Sequence, residues 1–159
     1  MRHIRTILFT ALLALLVAAP SAAAQKSHSY TSTSMLAPVS TANGYPNPGG
    51  FAVVTGTLMT KPFGPGVLTD TVTIMGQPSP NTLTLGGSEV ARFNDGTVRS
   101  TYTGTVTIHE DGSQTIVANG RITRGSGRYS GASGSYTFTG TTAPGSNVIT
   151  GSSTGSIVF

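Results

Sequence analysis

From Phe51 onward, apolar and polar side chains alternate with a period of two, and Gly, Pro, Asn or Asp interrupts the alternation about every ten residues. Thr, Val, Ile, Tyr and Phe dominate between the interruptions, the residues of strands separated by turns. The pattern predicts strands over Phe51–Thr60, Val67–Met75, Asn81–Leu85, Glu89–Phe93, Thr97–His109, Gln114–Thr123, Ser135–Thr139 and Asn147–Phe159. Nothing in this stretch spaces apolar residues for a helix. The sharpest element is a hairpin: Thr105 to His109 alternates, Glu110-Asp111-Gly112-Ser113 turns, and Gln114 to Ala118 returns. A second Asp-Gly, Asp95-Gly96, joins Glu89–Phe93 to Thr97–His109, which makes three consecutive strands an antiparallel meander.

Many strands with no helix to cover an edge predict an all-β fold, a single antiparallel β-barrel of about eight strands. Closure removes the unpaired edges that an open sheet exposes. A two-sheet sandwich is the other arrangement that periodicity allows. The barrel domain is expected over residues 51–159. Residues 25–50 are rich in Ser, Thr, Pro and Gly and hold few large apolar residues, too little burial to offset the entropy of ordering. They read as a flexible arm, with an edge strand laid against the domain as the alternative for part of it.

Residues 1–24 read as a signal peptide. Arg2 and Arg5 precede an almost unbroken apolar run from Ile7 to Ala19, Pro20 and Ser21 break it, and Ala22-Ala23-Ala24 offers a cleavage site before Gln25. That run is too short to cross about 30 Å of hydrocarbon as a helix. The expectation is export, to the medium or the periplasm of a bacterium, with no stable membrane insertion after cleavage. The chain has no cysteine and no Asn-X-Ser/Thr sequon, which fits that setting.

Charge changes the picture little. The formal charge of +4 includes Arg2 and Arg5, so the chain after cleavage carries seven basic and five acidic residues. Arg121, Arg124 and Arg128 cluster only loosely, without the broad basic surface and stacking aromatics of a nucleic-acid binder.

The segment Gly125-Ser126-Gly127-Arg128-Tyr129-Ser130-Gly131-Ala132-Ser133-Gly134-Ser135-Tyr136-Thr137-Phe138-Thr139-Gly140 resembles a signature of the allene oxide cyclase-like and dirigent-like barrels. In that group a Gly-x-Gly-x-aromatic turn is followed by Gly-Ala-x-Gly and an aromatic-alternating strand. Its glycines permit sharp bends, Tyr129 can fold back over the turn, and Tyr136 and Phe138 share one side of their strand. The resemblance implies an eight-stranded antiparallel barrel, often a homodimer or homotrimer, with an apolar cavity open at one end. It implies cyclisation or radical coupling guided by shape and a few polar groups, with no metal and no organic cofactor. No catalytic residue is carried over, because only the turn-and-strand signature matches.

Strand parity identifies the candidate chemistry. In Thr97–His109 the even positions Val98, Tyr102, Val106 and Ile108 are apolar and the odd positions are polar, so the even set faces inward. In Val67–Met75 the inward set is Leu68, Val72 and Ile74, and Asp70 shares their parity. An inward acid is costly unless paired or solvated. Asp70 is therefore the first candidate, a cavity carboxylate acting as base or ligand anchor; the alternatives are an acid near a barrel mouth, or one paired with an arginine such as Arg92. Tyr102 is the second, an inward phenol able to donate to a ligand. Arg92 joins them as a pocket candidate. His109 and Glu110 read as exposed turn residues, and Glu89 and Asp95 as solvated acids beside turns. No Gly-x-Ser-x-Gly elbow is placed between a strand and a helix, and Gly125-Ser126-Gly127 lacks the further spacing of a dinucleotide fingerprint.

Two functions fit. One is a cavity protein for a small apolar molecule, with a cofactor-free cyclase or isomerase as its enzymatic form. The other is a structural or interaction protein with a filled barrel, for which the repeated Thr-Gly-Thr runs are suitable. A cavity of about 300 Å³ or more separates the first from the second.

Overall fold

The computed structural model describes residues 25–159, so the expected signal peptide lies outside the described residues. Eight strands follow one another: β1 (Ser27–Ala42), β2 (Phe51–Lys61), β3 (Gly64–Ser79), β4 (Thr82–Phe93), β5 (Gly96–Ile108), β6 (Gln114–Gly127), β7 (Ser133–Thr142) and β8 (Ile149–Val158). Each pairs antiparallel with its neighbour in sequence, and β8 pairs with β1 to close a barrel. Among the described residues there is no helix. The barrel, and not the sandwich, is the form that leaves no edge.

The even positions of β5 do face inward, and so do Leu68, Asp70, Val72 and Ile74 of β3. Two expectations are corrected. Residues 27–42 are a barrel strand and not an arm: β1 is paired along both edges, Thr31 with Lys61 and with Thr154. Its inward residues are Tyr30, Ser32, Ser34, Leu36 and Pro38. Serines on the inner face mimic the composition of a linker, and the order comes from backbone hydrogen bonds to two neighbours. Asn81–Leu85 and Glu89–Phe93 are one strand, β4, running unbroken through Gly86-Gly87.

One end of the barrel is stopped with aromatic rings. Tyr129, fully buried, sits at their centre, with ring centroids 5.7 Å from Phe63, 5.3 Å from Phe93 and 5.2 Å from Phe159. His28 stacks on Phe159 at 5.0 Å. Edge-on and tilted contacts of this kind add to the area that the rings bury. The glycine-rich segment makes the inward fold of Tyr129 possible. Gly127 (φ 63°) and Gly131 (φ 80°) take the left-handed turn conformations on either side of it, and a side chain on Gly125 would collide with the Tyr129 carbonyl. Arg128 donates to Asp95 at 3.1 Å across the two turns at this end. Asp95 is thus a surface acid, as expected.

Removing the central ring should leave a cavity that the surrounding turns cannot collapse to fill. Tyr129→Ala is expected to lower the unfolding free energy by about 3–5 kcal/mol in urea denaturation. A loss near zero would mean that the rings do not act as a plug.

Candidate functional site

The barrel is not filled. It encloses a cavity of about 320 Å³. Towards the end opposite the plug its wall is apolar: Val72, Ile74, Leu83, Leu85, Val106 and Ile116 line it and belong to one buried cluster. Tyr45 and Pro46, from the loop between β1 and β2, lie over it there, with Ser146 and Asn147 of the loop between β7 and β8. A second, open depression on the outer face, between Met75 and Val117, holds no titratable group.

At mid-depth the wall turns polar. Asp70 on β3 stands directly opposite Glu89 on β4, and Glu89 opposite Ser100 on β5. Tyr102 donates to Asp70 Oδ2 at 2.7 Å. Glu89 Oε1 receives two donors, Ser100 at 2.7 Å and Tyr136 at 2.5 Å. Asp70 is 8% exposed, and its other oxygen, Oδ1, has no hydrogen-bond partner among the described residues.

Glycines let the two phenols reach so far. Tyr102 is on β5 and Asp70 on β3, two strands apart, or about 10 Å. The ring spans the gap by lying over Gly87 of β4, where an added Cβ would stand 2.5 Å from the Tyr102 hydroxyl and 2.6 Å from its ring carbon Cζ. Tyr136 of β7 lies over Gly120 of β6 in the same way to reach Glu89, and a side chain on Gly120 would overlap its ring. The glycines are seats for the rings.

Burial raises the Asp70 carboxyl from its usual value up to about 7; the Tyr102 hydrogen bond pulls the other way, and Glu89 adds to the rise. The hydroxyls of Tyr102 and Tyr136 are pushed up, first by burial and then by the carboxylates beside them, so both stay protonated donors. Burial, with Glu89 for Tyr30 and Asp70 for Tyr45, raises those two phenols as well. Near neutral pH, Asp70 can therefore accept a proton or donate one, while its phenol partner holds one oxygen in place.

Of the residues singled out from the sequence, Asp70 and Tyr102 come together as a bonded pair. Arg92 does not join them. It projects from the outer face, exposed, and its guanidinium donates to Thr69 Oγ1 at 3.3 Å. Inward positions of β4 are the odd ones, Leu83, Leu85, Glu89, Ala91 and Phe93, which turns Arg92 outward. The same parity corrects the reading of Glu89 as a solvated acid, since it lines the cavity. Carrying the alternation of Leu83 and Leu85 through the two glycines would have found it. Tyr136 was marked in sequence only as part of the glycine-rich motif. His109 is exposed on the outside, within 2.8 Å of Thr115 Oγ1.

Two measurements check this geometry. Gly87→Ala should displace Tyr102 from Asp70 and destabilise the fold by about 1–3 kcal/mol; an unperturbed Tyr102 environment in that variant would refute the seat. The second concerns pH. With its pKa raised, Asp70 holds a proton in the folded state that the unfolded chain has already released, so its contribution to stability is full below about pH 4 and is lost as pH rises through about 7. From pH 4 to pH 8 the unfolding free energy of the wild type should fall relative to Asp70→Asn by up to about 4 kcal/mol. A difference that stays constant across that window would show Asp70 to be an ordinary carboxyl.

Comparison of the chain with protein-family models, with curated proteins and with solved structures finds no match.

Proposed function

We propose that the chain is exported and that its barrel binds a small, mainly apolar molecule whose one polar group docks at the Asp70–Tyr102 pair. The observation that carries this reading is the pair itself: a buried carboxyl with one oxygen held and the other without a partner, in the wall of a cavity of about 320 Å³. Cavities of this size and lining suit a small ligand. The outer face is rich in exposed threonine, including Thr71, Thr73, Thr101, Thr103, Thr105 and Thr107, which supports a barrel that works in water. The structural alternative needs a filled interior and leaves the inward acids without purpose.

In the enzymatic form of this reading the chain is a cofactor-free cyclase or isomerase. The wall confines the substrate, and Asp70 moves one proton to or from the atom held at its free oxygen. Membership of the allene oxide cyclase-like and dirigent-like barrels, and assembly as a dimer or trimer, belong to the same proposal. An eight-stranded antiparallel barrel is what that resemblance implies.

Native mass spectrometry of the protein taken from the medium or periplasm tests the reading. The expected species begins at Gln25 and carries a small molecule that denaturation releases, with occupancy reduced in Asp70→Asn and Tyr102→Phe. Unchanged occupancy in both variants would remove the pair from the site. An empty protein that takes up no apolar probe would favour the structural alternative.

A further inference from the structure

We infer that the polar group of the ligand is a protonated amine, so that the cavity selects an apolar amine over a neutral or acidic molecule of the same shape. The inference rests on the cavity-binding reading and specifies its ligand.

The electrostatic content of the cavity is one-sided. Asp70 and Glu89 face each other across β3 and β4, and among the described residues no lysine, arginine or histidine lines the cavity. Their partners are all neutral: Tyr102 on Asp70, Ser100 and Tyr136 on Glu89. Buried carboxylates are ordinarily met by a cation, and among the described residues the cations lie elsewhere. Arg92 is outside, on Thr69, and Arg128 is on Asp95 at the plugged end. An ammonium group bonded at Asp70 would supply both the missing countercharge and a donor for Oδ1, the acid oxygen without a partner.

The remaining lining fits the same ligand. Tyr30, Tyr45, Tyr102 and Tyr136 all line the cavity, and aromatic faces attract a cation while remaining compatible with an alkyl or aryl body. That body would lie in the apolar belt of Val72, Ile74, Leu85, Val106 and Ile116. A carboxylate ligand would be repelled by both acids. An alcohol could accept or donate one hydrogen bond, but would leave the charge uncompensated.

The groups facing Asp70 are Glu89 from β4, Tyr102 from β5 and Tyr45 from the loop between β1 and β2; Glu89 is faced in turn by Ser100, Tyr136 and Tyr30. None is a base that ionises positively. Acidification therefore weakens amine binding by protonating Asp70, and has no such effect on a neutral ligand.

Titration calorimetry on the mature chain with 4-phenylbutylamine, 4-phenylbutan-1-ol and 4-phenylbutanoate separates the outcomes. At pH 8 the amine should bind at least about tenfold more tightly than the alcohol, and the butanoate most weakly. Asp70→Asn, its fold checked by circular dichroism and urea unfolding, and separately a change to pH 5.5, should each remove most of that advantage. Glu89→Gln should weaken the amine in the same direction. If the alcohol or the butanoate binds as tightly as the amine, the inference fails and the cavity reading stands. If none of the three binds, both fail.

Discussion

The hydrogen bond from Tyr102 to Asp70 depends on a residue that contributes no side chain. Gly87 leaves the inner face of β4 bare, and the Tyr102 ring lies across it to reach a carboxyl two strands away. Gly120 does the same for Tyr136 and Glu89. A ring laid flat against the wall takes up less of the lumen than one projecting towards the axis. The same contacts therefore place the donors and keep the cavity open. With larger residues at those two positions, the rings would be driven inward and the acids would lose their partners.

The two ends of the barrel divide the labour. Tyr129, Phe63, Phe93 and Phe159 form a packed aromatic stop, while the opposite end is covered only by loops carrying Tyr45, Pro46, Ser146 and Asn147. Close packing makes the stop rigid. Loops held by fewer buried contacts are the part of a fold that opens most easily. In the cavity-binding reading, entry to the polar layer would be past Tyr45, along the apolar belt.

Much of this was legible in the sequence, in proportion to how strictly each strand alternates. In β5 and β3 the parity of Val98, Val106, Leu68, Val72 and Ile74 is clear, and Asp70 and Tyr102 fall on the inward face without any structure. β1 escaped because its inner face carries Ser32 and Ser34, and a polar wall residue looks like a linker residue when its neighbours are unknown. Gly86-Gly87 read as a break in β4, since glycine weakens a strand unless something else fills its place. The filler is a tyrosine fifteen residues further along the chain, which no local pattern can supply. Glu89 was lost with the strand that carries it, and the number of strands agreed only because splitting β4 offset the omission of β1.

The polar layer also explains why an apolar interior would be the easier solution for stability alone. Each neutral hydrogen bond contributes about 1 kcal/mol net, while withdrawing a carboxylate from water costs several. One phenol does not offset that penalty at Asp70, whose carboxyl burial pushes up to about 7. Leucine or valine at those inward positions would pack with Leu68 and Ala91 and continue the core on either side. A chain that instead places two acids opposite each other, supports each with a donor, and clears glycine seats for those donors is holding charge in its interior at a cost to its fold. That cost is intelligible if the layer acts on what enters the cavity, and a cation bound there would offset it.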